Sequence, residues 1–144
     1  MRISAKVDYA VRAAIELAVA GEERLTKADA IAHAQDIPPK FLENILGDLR
    51  NAGLVRSQRG VDGGYRLART PAEVSVADVI RAVEGPIANV RGVRPDDVQY
   101  TVSAAPLRDV WIALRVNLRA VLEHVTLDDL VRGDLPPEVA HLLD

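Results

Sequence analysis

Apolar positions over residues 3–20 fall at helical spacing: Val7, Val11, Ala14 and Ala18 recur four, three and four apart. Asp8, Arg12 and Glu16 run along the opposite side, which predicts a solvated, internally paired face. Gly21 stops this helix. Thr26 with Asp29 reads as a capping box opening a second helix that turns Ile31 and Ala34 inward. The pattern breaks at Gln35-Asp36-Ile37. Pro38 and Pro39 then predict a third helix, because proline is tolerated only in a helix's first turn. It runs to Asn51, with Gly53 as its stop. Two short helices joined by a turn of three or four residues make a helix-turn-helix candidate.

Residues 54–59 and 65–68 read as short strands around Gly60-Val61-Asp62-Gly63-Gly64, a hairpin signal. Ser75 and Asp78 form a second capping pair, ahead of Val79, Ile80 and Val83. Residues 85–106 show no period and predict a structureless connection, a kind of segment that is often functional. The strongest helix follows. Leu107, Trp111, Leu114, Leu118, Val121 and Val125 are spaced 4, 3, 4, 3, 4, a heptad-type seam wider than one small domain covers. Thr126 with Asp129 caps one more short helix.

Composition narrows the functions. A chain of 144 residues suits one domain with a real core. With no cysteine, disulfides, thiolate nucleophiles, zinc–sulfur sites and all-cysteine clusters are excluded. No apolar run approaches the roughly 18 residues of a membrane span, and Asp8, Arg12 and Glu16 interrupt any signal peptide. The expectation is a cytoplasmic protein with no membrane partner. No G-x-S-x-G, glycine-rich phosphate loop or histidine with a base role is present, so no catalytic residue is assigned and an enzyme is not expected.

The net charge of −3 is unevenly spread: residues 1–70 carry +2 and residues 71–144 carry −5. Within 40–69, six basic side chains stand against three acidic ones. That balance suits a surface facing a polyanion, with ordinary surface scatter as the alternative.

On the third helix Phe41, Leu42, Ile45, Leu46 and Leu49 share one face. The other presents Lys40, Glu43, Asn44, Gly47 and Asn51, with Pro39 at its edge. Asparagine can pair bidentately with adenine and glutamate can accept from the cytosine amino group, which is what reading a major groove requires. A glycine in mid-helix costs roughly 1 kcal/mol, so Gly47 is either a point of close approach or simply tolerated. At the hairpin, Arg59 precedes a slim tip of Gly60, Asp62, Gly63 and Gly64 that can enter a minor groove. Arg56 and Arg66 can reach phosphates, and the competing reading is a plain turn that needs glycine.

Helix-turn-helix followed at once by a hairpin is the order of a winged helix. Tyr9-Ala10-Val11-Arg12-Ala13, Phe41-Leu42-Glu43, Leu46, Leu49, Gly53-Leu54-Val55 and Arg59-Gly60-x-Asp62-Gly63-Gly64-Tyr65-x-Leu67-Ala68 resemble the Rrf2 family of winged-helix transcription regulators, of the IscR and NsrR type. The resemblance spans residues 1 to about 132. It implies a homodimer on a pseudo-palindromic operator in double-stranded DNA. Pro39, Lys40, Glu43 and Asn44 would lie in the major groove, and Arg59, Gly60 and Asp62 in the minor groove. The heptad helix would cross its twin, the competing reading being an intrachain core helix. The expected fold is therefore mainly α with a two-stranded β wing. A winged helix-turn-helix occupies 1–70, a linking helix and effector-type loop 71–106, and a dimerisation helix with a tail 107–144.

Many members hold an iron–sulfur cluster through three cysteines in the segment that corresponds to 85–106, which has none here. Asp8 alone cannot hold a cluster, and His33, His124 and His141 make no paired metal spacing. No cofactor and no metal are expected. The loop either binds a small effector near Arg91, Arg94, Asp96, Asp97 and Tyr100 or carries only solvated charges. The rival function is a winged-helix protein–protein interaction module, since fold does not fix function.

Overall fold

Ala10, Ala13 and Ala14 are buried along one face of α1 (Ala5–Ala20). In the computed structural model, which describes all 144 residues, these small side chains let α2 (Ala28–Gln35), α3 (Pro39–Asn51) and α4 (Val76–Glu84) pack around α1. Val7 and Leu17 complete the buried stripe, while Val11 and Ala18 lie half-buried at its edge. Ser4 caps the helix, its Oγ accepting from the Val7 N–H at 3.1 Å.

The start of α2 departs from expectation. Thr26 is no cap, because its backbone is paired with Tyr65; Lys27 precedes the helix and supplies no side-chain acceptor. Packed between α1 and α3, α2 buries Ile31 and Ala32 and leaves Ala34 exposed. Asp36 then adopts a left-handed conformation (φ 52°, ψ 52°), and the Ile37 N–H returns to the Ala32 carbonyl at 2.9 Å. That tight reversal sets α3 at its angle to α2.

Pro39 opens α3, and Leu42, Ile45, Leu46 and Leu49 are all buried beneath it. Burying a leucine or isoleucine fully is worth about 1.5–3 kcal/mol, so these four side chains seat the helix firmly. Phe41 falls off this face. It is 46 % exposed, its ring edge-on to Tyr9 with centroids 5.5 Å apart. Strands β1 (Val55–Gln58) and β2 (Gly64–Leu67) form an antiparallel hairpin rooted by buried Val55 opposite Leu67.

Two capping boxes meet at the far side of the core. Ser75 and Asp78 cap α4, Thr126 and Asp129 cap α6 (Leu127–Arg132), and Ser75 and Thr126 are bridged antiparallel. Val74, Val79, Val83 and Leu127 belong to the same buried cluster as the first three helices. One core therefore runs across the boundary expected at residue 70.

The segment between α4 and α5 (Pro106–Leu122) is not structureless. It makes one-turn helices at Pro95–Asp97 and Val102–Ala104 and a tight turn with reciprocal Val90–Val93 hydrogen bonds, and it buries Pro95 and Val98. Prolines and single turns leave no period to read.

Helix α5 itself buries no residue completely. Trp111, Leu114, Leu118 and Val121 are half-buried, while Leu107 is 39 % and Val110 55 % exposed. Leu118 and Leu122 line a small cavity with Val7 and Ile80, so part of the expected seam faces its own chain. Val125 leaves the seam altogether. It lies beyond the helix end, is buried, and accepts from the Val76 N–H at 2.9 Å. A short α7 (Pro137–Ala140) and a single 3-10 turn at His141–Leu143 follow.

Candidate nucleic-acid interface

The outer face of α3 is free of intrachain partners. Pro39, Lys40, Glu43, Asn44 and Asn51 are exposed, and no side chain among them makes an ion pair or hydrogen bond within the chain. A Cβ added at Gly47 would meet no atom within 4 Å, so nothing in the protein requires a glycine there. On one side the α3 face is bordered by α1, through the Tyr9–Phe41 ring contact and a Lys6–Asp48 ion pair of 2.9 Å. On the other side Arg50 Nη1 reaches Ser57 Oγ of the wing at 3.5 Å.

Helix α1 also braces the helix-turn-helix. Arg12 donates to the Gln35 carbonyl at 2.6 Å, pairs with Asp8 at 3.1 Å and lies over the Tyr9 ring. Gln35 in turn donates to Glu16 at 2.7 Å. The charged stripe on α1 thus anchors the end of α2, where the sequence suggested only solvent.

The wing tip carries Arg59, Gly60 and Asp62, all exposed. Gly60 has a φ of 104°, a conformation that favours glycine, and its carbonyl accepts from Gly63 at 3.0 Å and from Lys27 Nζ at 3.2 Å. Gly63 is buried, so it shapes the tip and offers no surface. A Cβ there would lie 2.1 Å from the Gln58 carbonyl oxygen, and no side chain fits.

Arg56 and Arg66 stand directly opposite each other across the ladder. Like charges so placed are unfavourable without an anion between or beside them. Arg66 turns away to the Glu22 carbonyl at 3.2 Å, while Arg56 stays exposed and unpaired. Two clefts flank this region. One of about 380 Å³ is lined by Lys27, Arg50, Ser57, Arg59 and Gly60 among others. The other, about 550 Å³, is lined by Arg50, Arg56, Ser57 and Arg69 among others. Arg50 and Ser57 line both, so the two clefts lie side by side, and Asp29 is the one acidic residue in their lining. Lys27 and Arg50 were not singled out from sequence. The clue in each case was a cation at a helix end, which is too common to read alone.

Of Arg91, Arg94, Asp96, Asp97 and Tyr100, four fall into two separate contacts. Arg94 pairs with Asp96 at 3.2 Å, and Arg91 lies over the Tyr100 ring.

The fold has counterparts among known proteins. The family model described as "Rrf2: Iron-dependent Transcriptional regulator" matches residues 3–133. A Mycobacterium tuberculosis protein named as an HTH-type transcriptional regulator, Rv1287, is 51 % identical over 144 residues, covering 100 % of this chain and 89 % of that one. The solved structure of CymR, the global cysteine regulator of Bacillus subtilis, is similar with a TM-score of 0.77 at 37 % identity, covering 92 % of this chain and 98 % of that one. IscR of T. potens gives a TM-score of 0.74 at 32 % identity over 92 % and 88 %.

The iron named in that family description meets no matching donor set in this chain. The chain has no thiolate, and no group of three or more His, Asp or Glu side chains is placed to hold a metal. Asp8 is engaged by Arg12, and His124 Nδ1 lies 2.8 Å from the Ala120 carbonyl. These residues do not fit an iron–sulfur cluster.

Proposed function

The chain belongs to the Rrf2 family of transcriptional regulators, and from that premise we propose that it binds double-stranded DNA sequence-specifically as a homodimer on a pseudo-palindromic operator, without an iron–sulfur cluster. The observation that carries this reading is electrostatic. All seven Lys and Arg side chains between residues 27 and 69 lack a carboxylate partner, whereas six of the other eleven are ion-paired. Cations left unpaired around a groove are set to meet phosphates.

Lys40, Glu43 and Asn44 read base edges in the major groove, with Pro39 setting the entry of the helix and Gly47 allowing the duplex to come close. Arg59 enters the minor groove behind Gly60 and Asp62, and Lys27, Arg50, Arg56 and Arg69 neutralise phosphates. Dimerisation uses α5. Its apolar stripe runs from exposed Leu107 and Val110 through half-buried Trp111, Leu114, Leu118 and Val121. Two-fold pairing of α5 would present two α3 helices to successive major grooves.

Salt dependence tests this reading against a protein-interaction module. Duplex affinity should fall linearly on a log–log plot, by about 0.9 per phosphate neutralised. Duplex binding that is absent even at low salt, with a protein partner retained, would support the module instead.

A further inference from the structure

A cavity of about 360 Å³ lies between the 85–105 segment and α5, and no residue of α3 or the wing lines it. Its apolar wall is Met1, Ala88, Val90, Leu114 and the Trp111 indole, and its polar side chains are Asn89 and Arg91. Trp111 is fixed by its Nε1–H, which donates to the Tyr100 hydroxyl at 3.0 Å. The Arg91 guanidinium lies over the Tyr100 ring, 6.0 Å from its centroid, and has no carboxylate partner. Two wall residues are also conformationally unusual. Only three non-glycine residues in the chain have positive φ: Asp36 at the helix-turn-helix reversal, and Ala88 (58°) and Arg91 (48°) here. Such conformations are costly and persist where the surrounding structure holds them. Arg91 is thereby presented at the tip of the Val90–Val93 turn.

We propose that this cavity binds a small planar organic anion, an aromatic carboxylate in its simplest form, with its ring against Trp111 and its carboxylate on Arg91. The volume lies near the lower end of small-ligand sites, which favours a one- or two-ring acid over a nucleotide. An indole face receives a flat ring. A guanidinium without a carboxylate partner can take a ligand carboxylate through its two-pronged N–H fork. The occupied site would bear on regulation through Trp111 and Leu114, which stand on α5, and that consequence rests on the dimer and DNA reading above.

The chain has a single tryptophan, so a ¹⁵N-labelled sample gives one indole N–H resonance, located in the site. The full-length protein is titrated with 2-naphthoate and, separately, with its neutral counterpart 2-naphthalenemethanol. The expected result is a saturable shift of that resonance with the acid and binding about tenfold weaker with the alcohol, the difference a charge-assisted hydrogen bond makes. Arg91→Met should bring the two affinities together while leaving the unliganded spectrum in place. Equal affinities for acid and alcohol in the natural chain overturn the proposal. So does a resonance that fails to saturate, as when a second copy's side chain fills the cavity. Loss of duplex binding with naphthoate binding intact would overturn the DNA reading alone.

Discussion

Thr26 and Tyr65 exchange both of their backbone hydrogen bonds, each 2.8 Å, and so pin the base of the wing to the residue before Lys27 and α2. Gly64 makes the approach possible, since a Cβ there would lie 2.7 Å from the Thr26 carbonyl oxygen. Gly64→Ala should therefore lever β2 away from Thr26. The expected cost is about 2 kcal/mol of stability by chemical denaturation. Duplex affinity should drop at the same time, because the wing and α2 no longer hold a common position. Unchanged stability would show that the wing root has slack the geometry does not suggest.

Arg56 and Arg59 should differ in kind. Arg56→Ala removes a phosphate cation, so affinity falls almost equally for all duplexes and the salt slope loses about 0.9. Arg59→Ala should also flatten the preference between sequences that differ in minor-groove width. Competition titrations at two salt concentrations separate the two outcomes.

Gly47 sits in ordinary helical backbone with open space beside it. Gly47→Leu should raise the melting temperature, since replacing a mid-helix glycine gains about 1 kcal/mol. It should weaken duplex binding by obstructing the groove. A stabilised variant with unaltered binding would place α3 outside the contact.

Most of this architecture was legible in the sequence because local chemistry specified it. Pro38-Pro39 and Gly53 bracket α3, and Ser75–Asp78 and Thr126–Asp129 form the capping boxes they suggest. Thr26–Asp29 has the same spacing and forms none, because pairing with Tyr65, 39 positions away, claims the Thr26 backbone. No local pattern records such a pairing. The same limit applies to α5: a heptad marks an apolar stripe, but only tertiary packing decides that Leu118 turns toward its own chain and Val110 toward solvent. The polar face of α3 and the Arg59 tip were visible as residue types. That Lys27, Arg50 and Arg69 line the clefts beside the wing was not.

Val110 gives a clean test of α5 pairing, being 55 % exposed and outside the buried core. Val110→Glu should yield a folded monomer by light scattering with unchanged helical content. Duplex affinity should fall by more than tenfold, since half the operator contacts are lost together. A variant that remains dimeric would move the interface elsewhere.

Glu123 ties α5 to α4. It accepts from Arg119 at 3.0 Å and from Arg81, and these bonds, that from Arg119 foremost, hold its carboxyl below its ordinary value of 4.5. A group with a lowered folded pKa stabilises the fold above its unfolded pKa and loses that contribution as pH falls through the folded value. Glu123→Gln should thus cost up to about 1 kcal/mol at neutral pH, the range of partly exposed pairs. The gap in urea midpoints should close below pH 4.5. A gap that persists in acid would assign the effect to packing.

The decisive measurement is selection of bound duplexes from a random pool by the purified protein. Reading by two α3 helices and two wings related by a two-fold axis predicts an enriched consensus with inverted half-sites, spaced to match successive major grooves. A pool that stays random after repeated rounds at low salt, or a consensus without two-fold symmetry, would contradict it.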